Sequence, residues 1–150
     1  MEATDRVRAN TSDALNSRLD REAQERVRHY ASGPPEAISQ RIGKLEREWD
    51  MERVLELNAS TLAFVGLTLG ATVSKKFLLA PAVVLPFLFQ HAVRGWCPPL
   101  PVFRRFGVRT REEIDAEKYA LKALRGDFDA VERAPGTAGR ASQAFEAARS

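Results

Sequence analysis

Between Leu57 and Val93 the chain reads LNASTLAFVGLTLGATVSKKFLLAPAVVLPFLFQHAV, two uncharged runs of 18 and 17 residues separated only by Lys75 and Lys76. Nothing else in the sequence limits the fold so strongly. A helix rises about 1.5 Å per residue, so each run makes a rod of roughly 26 Å, near the low end of what crosses a hydrocarbon core about 30 Å thick. The two lysines leave room only for a tight turn. The runs therefore predict an all-α protein built on a membrane helical hairpin of two spans, flanked by amphipathic cytoplasmic helices. The competing expectation is a soluble helical interaction protein with a buried hairpin, and Asn58, Ser60, Thr61, Thr68 and Thr72 make the first run less apolar than a leucine-rich anchor. Two helices apolar on every side need amphipathic partners to cover them in water. The charged flanks of a 150-residue chain offer few.

Those flanks differ in sign. Residues 1–56 carry 10 Lys/Arg against 12 Asp/Glu, whereas residues 94–126 carry 8 against 4. The basic excess follows the second run directly, where anionic headgroups would lie, though a solvated helix surface accounts for it equally well. A net charge of +3 gives no case for nucleic acid. One cysteine excludes an intrachain disulfide, and the mixed charges of the first 30 residues predict no secretory signal.

The organisation expected along the chain has four parts. Residues 1–56 hold N-terminal amphipathic helices, with 1–10 frayed. Thr11 or Ser12 caps a first helix carrying Leu15, Leu19, Val27 and Tyr30, which ends at Ser32-Gly33-Pro34-Pro35. A second begins near Pro35, with Ile38, Ile42, Leu45 and Trp49 on one face, and without Gly or Pro between Lys44 and Gly66 it runs straight into the first span. Trp49 is placed at the headgroups or between the N-terminal helices. Residues 57–107 form the two-span hairpin and its exit segment. There Pro86 removes a backbone donor inside the second span, and Gly95-Trp96-Cys97-Pro98-Pro99-Leu100-Pro101 leaves as an extended segment. Residues 108–130 start with the capping box Thr110-Arg111-Glu112-Glu113 and place Ile114, Leu121, Leu124 and Phe128 on one face. Residues 131–150 read as a flexible tail with a marginal helix over Ala141–Arg149.

Ala59, Ala63, Gly66 and Gly70 recur at spacings of 4, 3 and 4, giving the first span one face of small residues. Such a face lets helix backbones approach closely where lipid gives no hydrophobic drive to associate. It is expected to meet the second span, with self-association second. Arg94, Trp96, Arg104 and Arg105 are expected at the membrane interface. Cys97 is the candidate reactive thiol, since Arg94, Arg104 and Arg105 lie near it in sequence and a thiolate needs nearby positive charge. A small buried residue at the turn is the main alternative, and a haem thiolate a lesser one. His29 and His91 show no metal-ligand spacing with Cys97. No metal, cofactor or catalytic set is expected, and the interleaved Glu46, Glu48, Asp50, Glu52 and Glu56 read as a solvated face.

An apolar two-helix run ending in Gly95-Trp96-Cys97-Pro98 resembles the YgaP-like transmembrane domain, a small bacterial module found alone or attached to rhodanese sulfurtransferase domains. The similarity covers about residues 50–107, and its one sharp motif is that tetrapeptide. It implies a bacterial inner-membrane hairpin that self-associates, and it carries no activity for the hairpin alone. The long N-terminal helices and capped C-terminal helix depart from the simple pattern.

The expected function is that of a non-enzymatic membrane anchor or assembly module, which meets the lipid bilayer through its spans and a partner protein or second copy through its amphipathic helices. A membrane-bound thiol or sulfur-handling protein using Cys97 is the alternative. Orientation follows from basic residues near the spans. Arg41, Lys44, Arg47, Arg53, Arg94, Arg104, Arg105, Arg109 and Arg111 lie on the terminal side, nine against the two lysines of the turn, which places both termini in the cytoplasm.

Overall fold

The computed structural model describes residues 5–149, which are helical with no strand among them. In order the helices are α1 (Arg6–Ala9), α2 (Asp13–Ala31), α3 (Pro35–Leu45), α4 (Met51–Thr72), a 3-10 turn (Lys75–Leu78), α5 (Leu79–Arg94), α6 (Leu100–Arg105), α7 (Arg111–Arg125), α8 (Asp129–Arg133) and α9 (Gly136–Arg149). Side-chain caps start α1 and α4, and prolines sit at the starts of α3 and α6.

Several boundaries differ from expectation for identifiable reasons. Of residues 1–10, expected as frayed, 1–4 lie outside the described residues. Asp5 caps α1 by accepting from the backbone N–H groups of Val7 and Arg8, and Val7 is buried. The helix of α3 does not continue into α4. Asp50 starts a new helix by accepting from the Arg53 N–H at 2.9 Å, and Met51 N–H donates to the Arg109 carbonyl, so this backbone is committed to a cap. The proline-rich exit is a turn followed by a helix, because Pro101 sits in the first turn of α6, where its missing N–H costs nothing. Leu124, expected on the buried face of α7, is exposed, and Glu117 and Lys122 are buried instead. The stretch expected as a tail carries α9, whose Ala147 is buried.

The chain divides into two compact units, with boundaries inside α2 and α7: residues to Leu19 with Trp49–Glu112, and Asp20–Glu48 with the residues from Glu113 onward. The expected block 1–56 is thus split between them. In the first unit α4 packs along α5 and the 3-10 turn. A small core of Val7, Met51, Leu55, Cys97 and Leu100, with Phe103 and Val108 against it, closes the charged end of α4.

The second unit has a core of Ile38, Ile42, Leu45, Ile114 and Leu121, with Val27 and Tyr30 packed on it. Glu117 of α7 is fully buried and accepts from Arg26 of α2 at 3.1 Å and from Nε and Nη2 of Arg41 of α3 at 2.8 and 2.7 Å. One carboxylate therefore ties three helices through charge-assisted bonds. Lys122, fully buried, donates to the Ala147 and Ala148 carbonyls at 3.0 and 3.3 Å, capping the end of α9. Arg125 pairs with Asp127 and donates to Ser39 Oγ. The hydrogen bonds from Arg125 to Asp127 hold the Asp127 carboxyl below the usual carboxylate range.

Candidate functional site

α4, and α5 taken together with the 3-10 turn before it, are each long and apolar enough to cross a membrane: the runs Met51–Thr72 and Lys75–Arg94 have 22 and 20 residues. Their large side chains face outward. Phe64, Leu79 and Phe89 are 72, 70 and 72 % exposed, and Leu57, Leu62, Val65, Leu67, Val73, Val83, Leu85 and Val93 are exposed as well. A scattered exposed leucine means nothing, but a continuous apolar surface of this kind marks a surface that something covers.

The apolar residues that the pair buries along residues 57–93 are small. Ala63, Gly66, Gly70 and Pro81 are buried, and Ala59 is half-buried. A Cβ added to Gly66 would meet Pro81 Cδ at 2.6 Å and both Ala80 Cβ and the Phe77 carbonyl at 3.1 Å. One added to Gly70 would run into the Leu78 side chain. The small face of α4 is thus occupied within the chain, by α5 and the 3-10 turn. Ser60, Thr68 and Thr72 turn their hydroxyls to the Leu57, Phe64 and Thr68 carbonyls, so these polar atoms are satisfied inside the helix.

The other end of the pair is closed by α1. Gly95 takes a left-handed conformation (φ 74°) and returns its N–H to the His91 carbonyl at 2.7 Å, ending α5. Any Cβ there would run into Arg6, both its side chain and its backbone. Arg6 donates to the Ala92 carbonyl, and Asn10 donates to the Arg94 carbonyl at 2.9 Å. Three of the last carbonyls of α5 therefore have donors, one of them cationic at the negative end of the helix. Composition gave no sign of this contact, which spans more than 80 residues. The signals available were Gly95 after an apolar helix and a capping Asp5 ahead of Arg6.

The expected site residues separate here. Cys97 is 4 % exposed in the core of Val7, Met51, Leu55 and Leu100. Burial pushes its thiol up, against a smaller opposite effect of a backbone hydrogen bond with Leu100. Its neighbours are apolar, so the proximity to arginines suggested by sequence does not translate into contact. Arg104 is a correction: it is fully buried, donating to the Asn16 side chain at 2.9 Å and the Val108 carbonyl at 3.2 Å, and so is withdrawn from any interface. Arg94 and Arg105 are exposed and Trp96 is half-buried. Trp49 is 44 % exposed outside any helix, with the Arg53 guanidinium 4.4 Å over its ring, so it is no core residue. Among the described residues no three His, Cys, Asp or Glu side chains converge to hold a metal ion. No protein family, curated protein or solved structure matches this chain.

Proposed function

We propose that this chain is a small non-enzymatic integral membrane protein, an anchor or assembly module, with α4 and α5 as a hairpin in the bilayer. The observation that carries this reading is the inversion along residues 57–93: Ala63, Gly66, Gly70 and Pro81 are buried while Phe64, Leu79, Phe89 and Val93 are exposed. Water penalises that arrangement at roughly 25 cal/mol per Å2 of apolar surface, and a bilayer removes the penalty. A soluble chain would need a partner over nearly the whole surface of both helices.

The helices outside the hairpin are the surface for a partner protein or a second copy. Both termini lie in the cytoplasm in this proposal, and a relationship to YgaP-like inner-membrane modules rests on Gly95-Trp96-Cys97-Pro98 alone. Thiol chemistry at Cys97 has weaker support, because the side chain is buried among apolar neighbours. Carbonate extraction tests the location: the chain is expected in the pellet, and release into the supernatant overturns the proposal. For orientation, a reporter active only outside the cytoplasm is expected to be silent when fused after residue 150 and active when inserted between Lys75 and Lys76.

A further inference from the structure

Beside the contact between α1 and the end of α5 lies a cleft of about 550 Å3. Four carboxylates line it, Asp5, Glu52, Glu56 and Glu112, against one cation, Arg6. His91 lines it too and is 7 % exposed. Three buried atoms of these residues have no hydrogen-bond partner: Asp5 Oδ2, Glu52 Oε2 and His91 Nδ1. Leaving such atoms unpaired is costly, and in a folded protein it marks a missing partner.

The chemistry of the orphans selects that partner. Two are carboxylate oxygens and accept only, and the third accepts in the neutral Nε2–H tautomer. The partner must therefore donate, and the acidic lining asks for a cation. A metal ion is disfavoured, because no three ligating side chains converge among the described residues. A primary ammonium carries N–H donors and no acceptor, which suits a lining of carboxylates and an accepting imidazole nitrogen.

We infer that this cleft binds a primary ammonium group, carried by a small aliphatic amine or by the headgroup of an aminophospholipid. The inference rests on the membrane reading for the lipid source and not for the site itself. In that reading Glu52 and Glu56 occupy the first turns of α4 and His91 the last turn of α5, at the ends of the two apolar runs. An ethanolamine headgroup would sit at that level, and a choline headgroup, which has no N–H, would not satisfy the orphans.

The chain has two histidines, His29 and His91, so ring-labelled histidine gives a direct probe by NMR, with His29→Gln as the assignment control. In maltoside micelles, ethylamine is expected to shift the His91 signal saturably and leave His29 in place, whereas tetramethylammonium shifts neither. Glu52→Gln, of the same shape, is expected to weaken ethylamine binding about tenfold, the loss of one charged hydrogen bond. Unchanged affinity in a folded Glu52→Gln overturns the inference. The wild-type titration stands if that variant does not fold.

In nanodiscs, phosphatidylethanolamine reproducing the shift over phosphatidylcholine identifies the lipid source. A shift by ethylamine alone identifies a soluble amine, and either supports the site. A His91 signal unmoved by ethylamine and by phosphatidylethanolamine, or moved equally by tetramethylammonium, overturns it. A chain released by carbonate whose His91 still responds to ethylamine sinks the membrane reading and keeps the site, and a pelleted chain with an unresponsive His91 does the reverse.

Discussion

Along the apolar runs of α4 and α5, residues 57–93, the buried apolar residues are Ala63, Gly66, Gly70 and Pro81, while Phe64 and Phe89 stand open. In the second unit Leu45, Ile114 and Leu121 are completely buried, and the charged groups of Glu117 and Lys122 are buried beside them. The helices of the first unit make close backbone contact and leave their apolar bulk outside. The second unit buries Ile38, Ile42, Leu45, Ile114 and Leu121 together and leaves Tyr119, Leu124 and Phe145 exposed. Under the membrane proposal, the difference is the one expected between a helix solvated by lipid and a helix solvated by water.

The comparison breaks most easily at Glu117. Glu117→Ala leaves two guanidiniums without their carboxylate. Removing one member of a buried pair costs about 3–5 kcal/mol, and the low end applies because Arg26 and Arg41 keep 32 and 16 % exposure. Amide hydrogen exchange is expected to accelerate across α3 and α7, with pelleting by carbonate unchanged. If α4 and α5 lose protection equally, the two units do not obey separate rules.

The corresponding test in the first unit is Gly66→Val. The new side chain meets Pro81 Cδ, already 2.6 Å from a bare Cβ, so α5 must move away. Overpacking of this kind costs about 1–3 kcal/mol. The expected outcome is a lower melting temperature in detergent with retained membrane location, and Gly66→Ala should fall between the variant and the wild type. A Gly66→Val protein as stable as the wild type would mean that the small face is not where the helices are held together.

How much of this could be read in advance follows the range of the interactions. The two apolar helices were legible because length and charge are local properties of residues 57–93, and the face of Ala59, Ala63, Gly66 and Gly70 because helical spacing is local too. Pro34-Pro35 announced the start of α3 for the same reason. What escaped were contacts far apart in sequence. Arg104 has the composition of an interface residue, and only the fold brings Asn16 to it. Glu117 looks like one more solvated carboxylate until Arg26 and Arg41 arrive from two other helices. The cleft joins Asp5, Glu52 and His91, which share no motif. The break at Asp50 was missed for a local reason: the absence of Gly and Pro says nothing against a new cap.

Cys97 sharpens the comparison at smaller scale, since it lies in the first unit but in a core of the second unit's kind. Burial raises its thiol above the ordinary value, so less thiolate is present at neutral pH. Alkylation by iodoacetamide in the folded state is expected to be slower than in the same chain unfolded in denaturant, and the rate is expected to climb with pH beyond the point where an unfolded thiol levels off. A folded rate equal to the unfolded one would mean that the core around Val7 and Leu100 opens readily.

The smallest effect concerns Lys122. Its side chain is fully buried, and that burial, helped by the nearby Lys118, pushes its pKa below the ordinary 10.5. The sign follows from proton counting. Between the folded value and 10.5 the unfolded chain binds more protons at this position, so stability rises with pH across that window. Below the folded value the full cost of burying the charge is present, and it is relieved as pH rises. Deprotonation does not undo the cap of α9, because a neutral amine keeps two N–H groups for the Ala147 and Ala148 carbonyls. Lys122→Met fills the same space without a charge to desolvate, and leaves those two carbonyls without the amine. The difference in stability between wild type and Lys122→Met should therefore shift toward the wild type as pH climbs, with contributions from other titrating groups cancelling between the two. Urea unfolding of both proteins from neutral to alkaline pH measures it. A pH-independent difference would show that the Lys122 site is wetter than its burial implies.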